Sequence, residues 1–243
     1  MTGTSQPTDR ALGPLTVAID GPSGSGKSSV SRAAARELGI GYLDTGAMYR
    51  AATWWCLDQG IDLDDQNAVA EATRQIPLQM GTDPAAPSVT VAGRGIDEEI
   101  RTTDISSVVS KVATNLAVRA ELRRRQRELM AQIALDTGGV LAEGRDITTV
   151  VAPDAAVRIL LTASEEARLR RRSAELHGEA SDSAMAATRD QIVRRDRDDA
   201  TVSNFETAAD DVVLLDTSDL DFDQSVAAVL AIVDAVRTEA GPA

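Results

Sequence analysis

The chain is poor in lysine, cysteine, histidine and aromatic residues, and it carries no long apolar run. Of its 25 basic residues only Lys27 and Lys111 are lysines; arginine supplies the rest. Cys56 is the single cysteine, so no internal disulfide can form, and without a secretory context a reducing cytoplasm is the expected setting. His177, the single histidine, reads as a solvated residue without a role. Aromatics are 2% of the residues, although the hydrophobic share of 43% is ordinary for a globular protein. No apolar stretch approaches membrane-spanning length, which argues against a membrane protein. Met1 to Gly13 is polar, lacks a signal core and reads as a disordered tail. Net positive charge is missing as well: the formal charge of −13 argues against broad, nonspecific nucleic-acid binding. It leaves room for a local basic cleft, and the arginines are clustered.

What is present is a phosphate loop. Gly21-Pro22-Ser23-Gly24-Ser25-Gly26-Lys27-Ser28 fits G-x-x-x-x-G-K-[ST] at every fixed position. Its context fits too. Leu15 to Ile19 reads as a buried strand, Ser28 to Leu38 as a helix, and Gly39 as its stop. Glycines let backbone N–H groups turn inward around phosphate oxygens, and the helix N-terminus adds positive potential. In that pattern Lys27 reaches the outer phosphates and the Ser28 hydroxyl can ligate Mg²⁺.

At 243 residues the chain is long enough for one domain with a proper core, or one domain with a small inserted unit. Gly41 to Asp44 is a second strand, ending at Asp44-Thr45-Gly46, and Ala47 to Gln59 a helix stopped by Gly60. Arg50 lies near that helix start, where it either reaches an anion or is a surface charge. Asp62 to Thr73 is a polar helix or loop. Residues 75–103 change texture: two short strands, Ile76 to Met80 and Ser88 to Ala92, are followed by a turn at Gly93-Arg94-Gly95. Asp104 to Leu135 is helical by period, with Asn115 able to cap its second half. The arginines of that second half, Arg119 to Arg127, read mostly as a solvated face. Strands follow at Gly139 to Glu143, just before Gly144-Arg145-Asp146, at Val157 to Leu161, and at Val212 to Leu215, before Asp216-Thr217-Ser218. An Arg-rich helical pair lies between the last two, and an apolar-striped helix, Gln224 to Arg237, ends the chain.

Alternating strands and helices predict an α/β fold, a parallel sheet wrapped by helices. Ligands of such sheets sit at the carboxyl ends of the strands. The phosphate loop, Asp44-Thr45-Gly46 with Arg50, Gly144-Arg145-Asp146, the Arg-rich pair and Asp216-Thr217-Ser218 all fall there, which marks Arg50 and Arg145 as site residues. One phosphate loop plus arginines from separate segments suits two anionic substrates meeting in line. A switch GTPase would bring N-K-x-D, which neither lysine allows; a motor ATPase would bring a strand ending in Asp or Asp-Glu, where this chain has Glu-Gly-Arg-Asp. A small-molecule kinase is favoured.

Ile19 to Lys27 and Leu43-Asp44-Thr45-Gly46-Ala47-Met48-Tyr49-Arg50 together resemble the bacterial cytidylate kinase family, within the P-loop nucleoside-monophosphate kinases. The resemblance continues through Ile100-Arg101-Thr102, Ser110-x-Val112-Ala113, Val118-Arg119, Gln126-Arg127, Glu143-Gly144-Arg145-Asp146-Ile147 and Arg195-Asp196-x-x-Asp199, and spans Leu15 to Val233. It implies transfer of a phosphoryl group from ATP to CMP or dCMP with Mg²⁺, in a five-stranded parallel fold. Residues 75–103 would be a monophosphate-binding insertion and 168–199 a lid. It further implies that Gly21, Pro22, Ser23, Gly24, Ser25, Gly26, Lys27, Ser28 and Ser29 hold ATP. Thr45, Arg50 and Arg145 would hold the acceptor phosphate, Ser110, Arg119 and Asp146 would face cytosine, and Arg195 and Asp199 would reach the sugar. Lys27, Arg145 and Arg195 would act on the transferring group. The chain departs from the family pattern where a further lid arginine is usual, at Val202, and Ser203-Asn204-Phe205 replaces a Pro-Leu segment. The alternatives are a kinase of another small acceptor and a nucleotide-binding module with no acceptor. A monomer is expected, because no amphipathic face is left over.

Overall fold

The computed structural model describes residues 13–177, 189, 194 and 196–239. Nearly all of the expected tail, the link at 178–183 and Arg195 lie outside the described residues.

The element order is β1 (Leu15–Asp20), α1 (Lys27–Leu38), β2 (Gly41–Asp44), α2 (Thr45–Asp58), α3 (Gln66–Gln75), β3 (Leu78–Met80), β4 (Val89–Val91), β5 (Arg94–Gly95), α4 (Thr103–Ala113), α5 (Leu116–Thr137), β6 (Gly139–Gly144), β7 (Val157–Thr162), α6 (Glu165–His177), β8 (Val213–Asp216) and α7 (Phe222–Glu239). A 3₁₀ turn, Glu99–Arg101, precedes α4, and a π segment, Ile147–Val151, follows β6. β2, β6, β1, β7 and β8 pair in that order, all parallel. β1 is central. Its connection leaves toward β2 on one side, while the connection from β6 crosses to β7 on the other. The carboxyl ends of β1 and β6, in register from Leu15–Gly139 to Asp20–Gly144, therefore open side by side.

The central strands are buried on both faces, so alternate side chains feed different cores. Val17 and Ile19 join Val157, Ile159 and Leu161 under α1 and α7, against Val30, Ala34, Val229 and Val233. Ala18 points the other way, into the layer of α2 to α5 with Leu43, Met48, Val112, Leu122 and Ile133. Cys56 is buried in that second layer, and Trp55 packs against it half-buried. Among the described residues no helix is long and apolar enough to cross a membrane.

Residues 78–95 form a separate three-stranded antiparallel sheet packed on α2 through Ala47, Ala51, Val89, Val91 and Ile96. The expected turn at Gly93-Arg94-Gly95 is displaced by one residue. Val91 pairs with Arg94, so Ala92 and Gly93 make a two-residue hairpin loop with φ of 50° and 78°, and Arg94-Gly95 is a return strand. Asn115 caps α5, its side chain accepting from the amides of Ala117 and Val118. The α5 arginines are not a solvated face. Arg119 is 4% exposed, Arg125 donates to the carbonyls of Arg74 and Ile76, and Arg127 donates to those of Val150 and Val151. Arg124, held by Glu121 and Glu128, is exposed, and so is Arg127.

At the end of β1 the chain passes so close to β7 that a Cβ at Gly21 would lie 2.2 Å from the carbonyl oxygen of Leu161. Backbone cannot swing aside as a side-chain tip can. Gly21→Ala is expected to destabilise the fold by about 1–3 kcal/mol, the scale of overpacking. Urea unfolding of the two proteins measures it, and equal midpoints would refute the close approach.

Candidate active site

The carboxyl ends of β1, β2 and β6 open into one cavity of about 650 Å³, a size that takes small ligands. One wall is the phosphate loop. Gly24 and Gly26 have φ of 75° and 88°, which glycine adopts without steric cost. Gly26 is also the N-cap residue just before α1, and no side chain caps that helix start. The first-turn amides thus lie beside the cavity with the positive end of the helix dipole behind them, an anion cradle. Ser23 to Ser29 line it, whereas Gly21 and Pro22 do not. Lys27 is among the lining residues, its Nζ donating to the Pro22 carbonyl at 3.4 Å.

At the foot of the loop stands Glu143, near the end of β6. Ser28 Oγ donates to its Oε1 at 2.6 Å and Tyr42 Oη at 3.3 Å. Burial pushes its carboxyl up to about 7, Asp44 pushes in the same direction, and Lys27, Ser28 and Tyr42 oppose them. Burial and the Glu143 charge raise the Tyr42 phenol as well. Glu143 is absent from the candidates derived above. The signal was available, since it is a carboxylate ending a buried strand beside the phosphate-loop strand, but its Glu-Gly-Arg-Asp context hid it.

The opposite wall carries the arginines. Arg50, from α2, donates to the Ile100 carbonyl at 3.2 Å and to Ser106 Oγ at 2.8 Å. Arg101 lines the same end, 3.8 Å from Asp44, and was not singled out by sequence. Thr45 lines the cavity too, with its hydroxyl donating to the Glu143 carbonyl at 2.7 Å. The structure places Ser110 outside the cavity lining. α4 presents Val109 and Ala113 there, while Ser106, likewise outside the lining, accepts a hydrogen bond from Arg50. Ser110 sits one position, about 100° of helix, past Val109.

Asp146 and Arg119, each expected to face the base, pair with one another, and a second arginine joins them. Asp146 Oδ2 accepts from Arg119 Nη2 at 2.7 Å, and from Arg123 Nε and Nη2 at 3.0 and 2.7 Å. Arg119 Nη2 also donates to Ser203 Oγ, from the segment that departs from the family pattern. Among the described residues Asp146 Oδ1 accepts no hydrogen bond, and both Asp146 and Arg119 line the cavity.

Between the two walls lies Arg145. It donates to Ser23 Oγ at 2.6 Å, pairs with Asp196 at 2.9 Å and with Asp199 at 3.1 Å, and lies 4.4 Å from the Phe205 ring centre. Asp196 also accepts from the Ser23 amide and from Arg168. Burial alone would raise its carboxyl, but Arg145, the Ser23 amide and Arg168 together hold it below the usual range. Arg171 grips the loop from α6, donating to the Ser25 carbonyl, to Thr217 Oγ1 and to the Thr217 and Leu220 carbonyls.

Beneath the site, Asp20 at the end of β1 is 1% exposed. Burial pushes its carboxyl up to about 6, against hydrogen bonds from Thr148 and Ile147. A group whose pKa rises on folding from 3.8 to about 6 holds its proton more tightly in the folded state. Its contribution is full below pH 3.8 and is lost as pH climbs through about 6. Urea titrations from pH 4.5 to about 7.5 should show a steeper decline in wild-type stability than in Asp20→Asn, which keeps only the contribution of Glu143. Parallel pH curves for the two proteins would overturn this.

A sequence profile of the family described as Cytidylate kinase matches residues 17–235. The cytidylate kinase of Streptomyces griseus subsp. griseus is 44% identical over 237 residues, covering 97% of this chain and all of that one. That of Rhodococcus opacus is 49% identical over 221 residues, covering 90% of this chain and 94% of that one. Among solved structures, TT1252 from Thermus thermophilus matches at 22% identity with a TM-score of 0.43, over 90% of this chain and 98% of that one, a likeness too loose to carry an argument.

Proposed function

The chain belongs to the cytidylate kinase family, and from that premise we propose that it transfers the γ-phosphoryl group of ATP to CMP or dCMP, giving ADP and CDP or dCDP. The observation that carries this reading is a single cavity with a helix-capping anion cradle on one wall and Arg50, Arg101 and the Asp146–Arg119 pair on the other. Two anionic substrates entering from opposite walls would meet at Arg145.

The residues divide the work accordingly. The amides of Ser25 to Ser28 and the Lys27 ammonium hold the donor phosphates. Arg50, Arg101 and Thr45 receive the acceptor phosphate. Arg145 lies against the path of the transferring group, and its buried Nη1 has no hydrogen-bond partner among the described residues. A guanidinium there stabilises charge on the phosphoryl oxygens as it develops. α6 and the helical turn at 196–200 rest on the phosphate loop through Arg168, Arg171 and Asp196, which supports reading 168–199 as a lid.

Mg²⁺ fits the oxygens present. The Ser28 hydroxyl and the Glu143 carboxylate are 2.6 Å apart at the foot of the loop, and no cluster of three or more acidic, His or Cys ligands occurs among the described residues. That is the donor set expected of a cation held mainly by phosphates and water. Bound there, Mg²⁺ would supply charge neutralisation between the outer phosphates. A cytoplasmic setting belongs to the same reading.

The test is an acceptor panel with ATP and Mg²⁺ in a coupled ADP-release assay. Turnover dependent on CMP or dCMP is expected. Turnover on another acceptor alone, or none on any, would overturn the reading.

A further inference from the structure

Asp20 is a buried carboxylate that none of the roles above uses. It is not among the residues lining the cavity, although Gly21, the next residue, begins the phosphate loop. Its hydrogen bonds converge on one place. Oδ1 accepts from the Ile147 amide at 2.9 Å; Oδ2 accepts from the Thr148 amide at 2.8 Å and from Thr148 Oγ1 at 2.6 Å. These donors are the first two residues of the π segment, and both are buried, at 0% and 3% exposure. Left unpaired, each amide would carry the full cost of desolvation.

The residue that begins that segment is Asp146. Aspartate at such a position ordinarily caps the amides that follow with its own carboxylate. Here it does not: no side-chain cap is made by Asp146, and its Oδ2 is turned to Arg119 and Arg123. The capping is done instead by Asp20, from the neighbouring strand and 127 residues away in sequence.

We propose that Asp20 is a positioning residue for the acceptor base: by capping the Ile147–Val151 segment in place of Asp146, it frees the Asp146 carboxylate to hold Arg119 and read the base. Because Asp20 is contiguous with the phosphate loop, the same bonds set the distance between the donor loop and Arg145-Asp146. The inference rests on the phosphoryl-transfer reading above.

In Asp20→Asn one carboxylate oxygen becomes an amide nitrogen, which faces an N–H donor with a donor. The Asp146 carboxylate, at the N-cap position of the segment, then competes for the abandoned amide and is drawn back from the arginines. We expect KM for CMP to rise by about tenfold and the CMP/UMP ratio of kcat/KM to narrow by a similar factor, on the scale of a lost buried hydrogen bond. The ATP dissociation constant, measured by calorimetry, should stay within about twofold of wild type, since the loop amides are untouched. Thr148→Val removes only the hydroxyl donor and should shift the same two quantities less, while Thr148→Ser should restore them. This pair carries the test if Asp20→Asn fails to fold. A parallel rise in the ATP constant and in KM for CMP would overturn the proposal, placing Asp20 in the service of the phosphate loop. So would an unchanged CMP/UMP ratio in every variant. A wild-type enzyme inactive on CMP would instead sink the functional reading itself.

Discussion

Lys27→Ala is expected to lower kcat by about 10²–10³ with little change in stability, the scale of losing one preorganised donor to the transferring charge. The only other lysine cannot take its place, because Lys111 is on α4 and bound to Asp64 at the surface. Nor can the neighbouring arginines shift over without undoing other bonds. Arg171 spans Ser25, Thr217 and Leu220, and Arg145 spans Ser23, Asp196 and Asp199. The fold should tolerate the change. Lys27 opens α1, where alanine is a good helix residue, and its hydrogen bond to the Pro22 carbonyl is a long one at 3.4 Å. Its loss also removes the cation that opposes the upward shift of Glu143, which weakens the foot of the loop further. Steady-state kcat with CMP and ATP, beside a thermal melt, decides the matter. Near-normal kcat in a folded mutant would end the assignment of Lys27 to the donor phosphates.

Asp146→Asn should collapse base selectivity. Cytosine presents an exocyclic amine where uracil presents the O4 acceptor, and a carboxylate can accept only from the former. We expect wild-type kcat/KM for CMP to exceed that for UMP by about 10²-fold or more, because a mismatched base leaves buried polar groups unpaired. An asparagine that keeps its oxygen toward Arg119 and Arg123 turns its amide toward the base, and that amide can donate to O4. CMP efficiency then falls and the gap narrows toward unity. Stability should fall as well, since the Arg119 side chain is 5% exposed and loses its charge partner. Breaking such a pair outright costs about 3–5 kcal/mol, an upper bound when the amide oxygen still accepts. Equal losses for CMP and UMP would move Asp146 to the phosphates or the metal. A role as a cap of its own segment is already taken by Asp20.

The sequence by itself determined the phosphate loop, the strand–helix alternation and the parallel sheet. These follow from local rules: glycine where φ is positive, an apolar strand before it, a helix after it, and side chains alternating between two cores. It also pointed to Arg50, Arg145 and Asp146 at one end of the sheet, because strand ends in such folds converge; Arg119, on a helix, was reached only through the family resemblance. Tertiary structure alone decided what each of these side chains holds. Whether an arginine on α5 meets water or a buried carboxylate depends on which strand packs beneath the helix, and no periodicity reports that; hence Arg123 on Asp146 went unread. Ser110, named through the family resemblance, lies outside the cavity lining, one residue along α4 from Val109, which is in it. Ala92 entered a tight hairpin with positive φ because Val91 and Arg94 pair across it, against alanine's own preference. Glu143 and Asp20 are ordinary carboxylates in the sequence. They gained their partners only when parallel pairing of β1 and β6 buried both at adjacent strand ends, one against Ser28 and Tyr42, the other against Ile147 and Thr148. Burial of a charged group is a property of its neighbours in space, and those neighbours lie more than a hundred residues away along the chain.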